Sequence, residues 1–529
     1  MFNMTPDRNR RAGEILAAYP QRRAAILPLL WLVQEQEGEI SQEAMAYVAE
    51  LAGVAKAEVC EVKSFYAMFN SSCVGAIVRS CDRNSMGGFF DRTIAPTHER
   101  TGFDERTNAR SHDRTICAHP VISRHFDVPR MHELNVARQH GAYVSLAKLS
   151  RMKPEEVVAL VMDSGLRGRG GAGFPAGEKW RRIERRAGAP VYLVVNADEG
   201  EPGAFKDRAI MERDPHLLLE GIEIAAYAIE AEKVFVYIRG EYEGPQRIFE
   251  HALGEACAGG TIQRDYVICR GAGAYICGEE GALLNSIEGR RGEARIKPPY
   301  PTQAGLFGCP TVVQNVETLV SLPFILREGA MAFRRIGTPQ SPGTKLISIS
   351  GDVERPGVYE VEMGTSLSEF ISGPAGGVSS GKRLKALFPG GVSVPVLTAP
   401  EALTARIDFE SIEDAGSKLG TGGMIAIGEG TCMVRVLSDI ARFFADESCG
   451  ECTQCREGCG WIAGIARRME LGQANRDEIN VMIDAADGMS GRTICALAHG
   501  LASATLSIIA KFRNEFEQHV KEGHCPCGR

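Results

Sequence analysis

Val191-Tyr-Leu-Val-Val-Asn196 runs directly into Ala197-Asp-Glu-Gly-Glu-Pro-Gly-Ala-Phe-Lys-Asp-Arg208, and this junction decides the fold class. The first part reads as a strand. The second is a dense acidic loop at the strand's carboxyl end, where open α/β sheets bind ligands. Around it, helix and strand signals alternate: a helix near Pro154 to Met162, a long apolar helix over Leu217 to Ile229, and strands over Val234 to Arg239 and Tyr266 to Arg270. That rhythm predicts an α/β domain with a mainly parallel sheet, spanning about 129–337.

The texture changes on either side. Residues 1–70 carry helical patterns broken by short polar stretches, with Ser41 capping an amphipathic run, and predict a small helical module. Over 71–128 the apolar periodicity fails, as in Ala95-Pro-Thr-His-Glu-Arg-Thr-Gly, and poor order is expected. From about Pro339 two alternating runs flank the Pro356-Gly turn, which predicts a β-rich insert over 338–430. Residues 431–523 are helical, with Cys495 expected on a later helix of a bundle, facing three earlier cysteines. The tail 524–529, His-Cys-Pro-Cys-Gly-Arg, is expected to fray in solvent, with metal binding the lesser alternative.

Composition narrows the function classes. The 529 residues are 44% hydrophobic and 24% charged, ordinary for a multidomain globular protein. A net charge of -7 argues against a mainly nucleic-acid-binding surface. Sixteen cysteines spread through a long chain without a signal-like start imply a reducing cytoplasm, and no apolar stretch is long enough to cross a bilayer. Any membrane association is expected to come through partners.

Three loops carry the binding chemistry. In Gly168-Arg169-Gly170-Gly171-Ala172-Gly173-Phe174 the glycines permit close approach of a phosphate and a flat ring. No convincing strand precedes this loop, so the usual dinucleotide-binding context fails. Phe174 offers a stacking face and Lys179 a phosphate counter-charge, while Trp180 is expected in the core. In the acidic loop, Asp198, Glu199 and Glu201 can accept hydrogen bonds from sugar hydroxyls and would disfavour an additional 2′-phosphate. The third loop, Gly271-Ala-Gly-Ala-Tyr275-Ile-Cys-Gly278-Glu279-Glu280, repeats the pattern of glycine, aromatic and paired acids. The paired Glu279 and Glu280 suggest general acid and base chemistry, but beside these loops they are assigned to cofactor binding. Asn315 and Thr318, at the start of an expected helix, either face a phosphate or cap that helix.

The remaining signal is inorganic. Cys449, Cys452 and Cys455, followed by the remote Cys495, have the spacing of iron-sulfur cluster ligands, with structural zinc as the alternative. Cys459 is expected to be a buried small residue.

Together with Asn196-Ala-Asp-Glu-Gly-Glu-Pro-Gly, Arg295-Ile-Lys-Pro-Pro-Tyr-Pro, Gly305-Leu-Phe-Gly, Glu447-Ser-Cys-Gly-Glu-Cys-Thr-Gln-Cys and Thr493-Ile-Cys-Ala-Leu, these motifs resemble the NADH-binding flavoprotein subunit of respiratory complex I. The resemblance covers about Arg130 to Cys525. It implies a Rossmann-like FMN domain, a β-grasp insert and a helical cluster domain. It also implies one FMN, an NADH site over the flavin, and a [4Fe-4S] cluster on Cys449, Cys452, Cys455 and Cys495. The implied reaction is hydride transfer from NADH directly to FMN, with no catalytic side chain, followed by single-electron transfer to the cluster and on to quinone. Asn196, Tyr275 and Gly278 join the cofactor-binding set through the same motifs.

The chain departs from the family at two places: Gln314 precedes Asn315 where two asparagines are usual, and Arg181 and Arg182 stand where an aromatic often follows. Arg10 to Phe69, notably Ser64-Phe-Tyr-Ala-Met-Phe, resembles the helical start of the thioredoxin-like [2Fe-2S] subunit, so the chain reads as a fusion. Cys73, Cys81 and Cys117 lack that subunit's spacing, and no second cluster is expected. The resemblance implies other peripheral-arm subunits as partners, among them a separate thioredoxin-like [2Fe-2S] protein and a large iron-sulfur subunit. It implies a location at the inner face of the cell membrane, with neither nucleic acid nor direct membrane insertion. The rival readings are a diaphorase subunit of a soluble NAD-linked hydrogenase or formate dehydrogenase, and a non-catalytic iron-sulfur scaffold.

Overall fold

A computed structural model describes residues 2–70 and 117–527. Four strands form the central sheet: β1 (Tyr192–Ala197), β2 (Lys233–Ile238), β3 (Asp265–Arg270) and β4 (Thr311–Asn315), in the order β3-β2-β1-β4. All neighbours are parallel, with Tyr192 opposite both Lys233 and Thr311. Because side chains alternate along a strand, β1 feeds two cores: Leu193, Val195 and Ala197 enter one, Tyr192 and Val194 the other. All the carboxyl ends therefore open on one edge. The sequence pattern gives no sign of β4; its five residues end in Gln314-Asn315, which read as a helix start, and pairing with β1 makes it a strand.

The insert is a five-stranded mixed sheet, with β5 (Thr344–Gly351), β6 (Gly357–Glu362), β8 (Leu384–Phe388), β9 (Leu397–Thr398) and β11 (Gly423–Gly428) in the order β6-β5-β11-β8-β9. Only β5 and β11 run parallel. β7 (Thr365–Ser366) and β10 (Arg406–Ile407) form a separate small ladder. Four helices follow: Met433–Asp446, Thr453–Glu470, Asp477–Met489 and Leu497–Glu522. Cys495 is not on a helix as expected. It lies in the loop two residues before the last one, whose start is delayed to Leu497.

The N-terminal helices Pro6–Ala18, Ile26–Glu37, Gln42–Ala52 and Lys56–Phe65 pack against the β3 edge of the sheet. Trp31 Nε1 donates to the Gly271 carbonyl at 3.2 Å, and the Arg270 guanidinium stands 3.9 Å from the Trp31 ring centre. The Met68 amide donates to Ala272 at 3.0 Å, and the Tyr66 hydroxyl to the Arg290 carbonyl at 3.0 Å. The module is joined to the third binding loop by hydrogen bonds as well as apolar contact.

Of the stretch expected to lack order, residues 71–116, including Cys73 and Cys81, lie outside the described residues. Residues 117–128 depart from that expectation. The amides of Val121, Ile122 and Ser123 converge on the Glu360 carboxylate at 2.7 to 3.2 Å, so a buried acid on β6 organises a segment with no apolar periodicity. The tail also departs: Gly523 ends the last helix in the left-handed conformation (φ 65°) and turns Cys525 back toward Cys432.

Candidate flavin site and cluster loop

The Gly168–Gly173 loop precedes a short helix, Ala176–Arg181, and is pinched shut where Gly168 N donates to Phe174 O at 2.8 Å. Gly170, Ala172 and Phe174 form its exposed side. A Cβ on Gly170 would stand 2.9 Å from Asn315 Cβ, and Gly171 and Gly173 have φ of 133° and 66°, so the cradle depends on glycine at these points. From behind, the Thr318 hydroxyl accepts the Arg169 amide at 2.9 Å. The Arg169 side chain points inward: it is fully buried, donates to the Pro342 carbonyl at 2.8 Å, and is lowered to about 10 by burial, which Glu317 offsets in part. Arg169 and Thr318 thus shape the loop from inside the fold.

Asn196 ties the second loop to the third, donating to the Gly278 carbonyl at 3.0 Å and accepting the Asp198 amide at 3.0 Å. Asp198 Oδ2 is shielded from solvent yet has no protein partner, and burial raises its carboxyl well above the usual range. Glu199 is engaged by the fold. Its oxygens accept amides of Lys206, Asp207 and Arg208, capping the helix Lys206–Arg213, and the Tyr242 hydroxyl at 3.1 Å. Asn315 is similarly engaged, capping the helix Val316–Val320 through the Glu317 amide and donating to Asp207 at 2.7 Å.

Glu201 occupies the meeting point of three elements. The Tyr275 hydroxyl donates to it at 2.6 Å and the Ser393 amide at 2.9 Å, while Gly391 (φ 100°) lies so close that any Cβ would strike the carboxylate. Burial pushes the Glu201 carboxyl up, and these donors oppose that. Sequence reasoning missed Gly391 and Ser393, for which the only signal was a glycine-rich turn.

Two lysines hold the paired acids. Lys179 reaches Glu280 at 3.0 Å and the Val313 carbonyl at 2.9 Å; Lys297 bridges Glu279 at 2.9 Å and Glu280 at 2.8 Å. Burial works against ionising Glu280, but the two ammonium groups outweigh it and hold the carboxyl down at about 2. Glu279 also caps its helix, accepting Ala282 N at 2.9 Å. Lys297 was not singled out from the sequence, although it stands in the Arg295-Ile-Lys-Pro-Pro motif. At the two departures, Gln314 accepts the buried Trp180 indole at 3.3 Å, and Arg182 lies over the exposed Phe174 ring at 5.2 Å.

The cluster loop joins the first two bundle helices. Cys452 is the N-cap of the helix Thr453–Glu470 and Cys455 lies in its first turn. Gly450, at φ 82°, reverses the chain between Cys449 and Cys452. Cys495 comes from the far loop, where the Ile494 amide donates to Cys452 Sγ at 3.4 Å. Burial raises Cys449 and Cys495, and their proximity to the neighbouring thiols adds to it, Cys495 reaching about 12. Cys459 is fully buried, 3.9 Å from Cys455 Sγ. The loop is bound to the flavin side: Tyr275 N donates to Glu447 at 2.8 Å, and Arg291 to the Cys449 carbonyl at 3.0 Å.

The residues present fit both groups. A glycine cradle that a Cβ would fill and an unpartnered Asp198 oxygen suit a phosphorylated polyol bearing a flat ring. Four thiols with an amide aimed at one sulfur suit an iron-sulfur cluster.

Family models match four parts of the chain: the Nuo51 FMN-binding domain over 161–323, the NADH-ubiquinone oxidoreductase-F iron-sulfur binding region over 435–519, the thioredoxin-like [2Fe-2S] ferredoxin over 12–86, and the SLBB domain over 345–412. An F subunit of NADH-quinone oxidoreductase from Rhizobium meliloti (strain 1021) is 48% identical over 417 residues, 77% of this chain and 99% of its own. The corresponding F subunit from Mycobacterium bovis is 47% identical over 423 residues, 77% of this chain and 95% of its own. Among solved structures, an NAD+-reducing [NiFe]-hydrogenase chain in the air-oxidized state superposes with a TM-score of 0.77 at 29% identity, covering 95% of each chain.

Proposed function

We propose, because this chain belongs to the family of NADH-quinone oxidoreductase F subunits, that it oxidises NADH at an FMN and passes the electrons to a [4Fe-4S] cluster. The observation that carries this reading is Tyr275, whose hydroxyl is bound to the acidic loop at Glu201 and whose amide is bound to Glu447, two residues before Cys449. The flavin's chemistry, when bound, is to take a hydride and release its electrons singly.

The protein's own part is positioning. Amides of the Gly168–Gly173 loop take the phosphate, since Lys179 is already paired with Glu280. Asp198 Oδ2 accepts a ribityl hydroxyl. Glu201, steadied by Tyr275 and Ser393, receives the nicotinamide nucleotide's ribose, and Phe174 at the open side offers its face to a ring. Glu199, Asn315, Thr318 and Arg169 keep these loops in place. Cys449, Cys452, Cys455 and Cys495 hold the cluster.

As a member of this family, the chain works within a multisubunit complex. Its partners are a thioredoxin-like [2Fe-2S] protein and a large iron-sulfur subunit, which carry electrons to quinone at the inner face of the cell membrane. Among the described residues no helix is long and apolar enough to cross a membrane. The second reading, the diaphorase of a soluble NAD-linked complex, rests on the likeness in fold to the NAD+-reducing hydrogenase chain at 29% identity, and relatives at 47 to 48% identity weigh against it.

Oxygen-free purification with flavin and iron determination, followed by NADH and NADPH oxidation with ferricyanide, tests the core of the proposal. One FMN, four irons and a strong preference for NADH are expected; colourless protein inert toward NADH would overturn it. The subunits that copurify decide between the two acceptors.

A further inference from the structure

A second group of soft ligands lies apart from the cluster loop. Cys432, Cys525 and Cys527 place their sulfurs within 4.8 Å of one another, and His519 Nε2 stands 3.4 Å from Cys432 Sγ. Tetrahedral zinc with Zn–S bonds of about 2.3 Å holds its sulfurs roughly 3.8 Å apart, so the three sulfurs are spaced for a single ion, and His519 stands beside them at Cys432. A cubane needs its thiolates further apart, because each binds a different iron.

The supporting contacts are those a zinc ligand needs. His519 is fully buried, and its Nδ1 donates to the Glu515 carbonyl at 2.7 Å, which fixes the tautomer that leaves Nε2 free to coordinate. Cys432 is buried at the N-cap of the helix Met433–Asp446, which fixes its place on the first helix of the bundle. The tail reaches this point by the turn at Gly523, which packs against Gly472 so closely that a Cβ on Gly472 would overlap it.

We propose that Cys432, His519, Cys525 and Cys527 bind one structural zinc ion, closing a Cys3His site that clasps the C-terminal tail to the first helix of the bundle. Once His519 turns from Cys432 onto the three sulfurs the donor set is complete at four, leaving no open position for substrate, so the site is structural rather than catalytic. Its thiolate majority selects zinc over the harder divalent cations. The site is independent of the flavin reading and would stand if that reading failed.

The test uses the whole protein, purified without oxygen or chelator, with metals counted per chain. One zinc is expected in addition to the cluster iron. Cys525→Ser and Cys527→Ser should each lower zinc at least tenfold while flavin and cluster iron stay at wild-type content, which also shows that the variants fold. X-ray absorption at the zinc edge should give a shell of three sulfurs at about 2.3 Å and one nitrogen at about 2.0 Å. Zinc-free wild-type protein overturns the proposal, as does zinc undiminished in both variants. So does a Cys432 disulfide to the tail in the oxygen-free material.

Discussion

The main-chain amide of Tyr275 and the carboxylate of Glu447 are joined at 2.8 Å across 172 residues of sequence. The Tyr275 ring also meets Phe443 and Phe444 edge-on, at 5.1 and 6.0 Å between ring centres. One residue therefore fixes the third binding loop to the helix Met433–Asp446 and the cysteine loop after it.

Glu447→Ala removes the acceptor and leaves a half-buried amide unpaired, a loss of about 1 kcal/mol. The junction between the two centres loosens while each remains intact. NADH oxidation with ferricyanide, which draws electrons at the flavin, should stay within about twofold of wild type, while transfer to the partner subunits slows. Equal losses in both assays would count against the junction's role.

Gly391→Ala forces a Cβ into Glu201 at a φ of 100° that L-residues rarely adopt. Backbone strain of about 1 to 3 kcal/mol and displacement of the carboxylate should act together. The expected result is a KM for NADH raised roughly tenfold, equivalent to about 1.4 kcal/mol, with four irons retained. An unchanged KM would separate Glu201 from nucleotide binding.

Glu280 is held at about 2 against an ordinary 4.5 by Lys179 and Lys297, despite its burial. Between those values the unfolded chain binds a proton that the folded chain does not, so the contribution is complete above about pH 4.5 and disappears as pH falls toward 2. At neutral pH it amounts to about 3 kcal/mol. Denaturant midpoints for wild type and Glu280→Gln should lie well apart at pH 7 and converge as pH falls below 4.5; a constant gap would refute the ion-pair account.

Cys452→Ser removes the ligand at the helix N-cap. Iron should fall toward zero with FMN retained, leaving ferricyanide reduction and abolishing delivery to partner subunits. Electron paramagnetic resonance of the NADH-reduced protein, with the cluster signal absent, is the direct readout.

The parallel sheet, the glycine loop, the acidic pairs and the four cysteines were legible because each depends on local chemistry: β-branched runs, positions without a Cβ, thiols at fixed spacing. What was not legible comes from distant partners. β4 is a strand because β1 lies beside it, and Val121 to Ser123 are ordered because Glu360 accepts their amides. Glu199 carries an expected residue type, but its bonding capacity goes to a helix start that no spacing reveals, whereas Asn315 caps its helix, one of the two roles its position suggested. Lys297, Gly391 and Ser393 reach the site from separate segments, and the tail cysteines gain meaning only from Cys432 and His519, about ninety positions and a handful of positions earlier in the chain.

The contact between Trp31 and Gly271 spans 240 residues, and it has a bearing on biosynthesis. At about 5 to 20 residues per second, the ribosome needs on the order of 10 to 50 s to bring the second residue out after the first. Throughout that interval the apolar helix Ile26–Glu37 has no sheet edge to rest on. The face that Trp31 presents is therefore completed only after the third binding loop has been made.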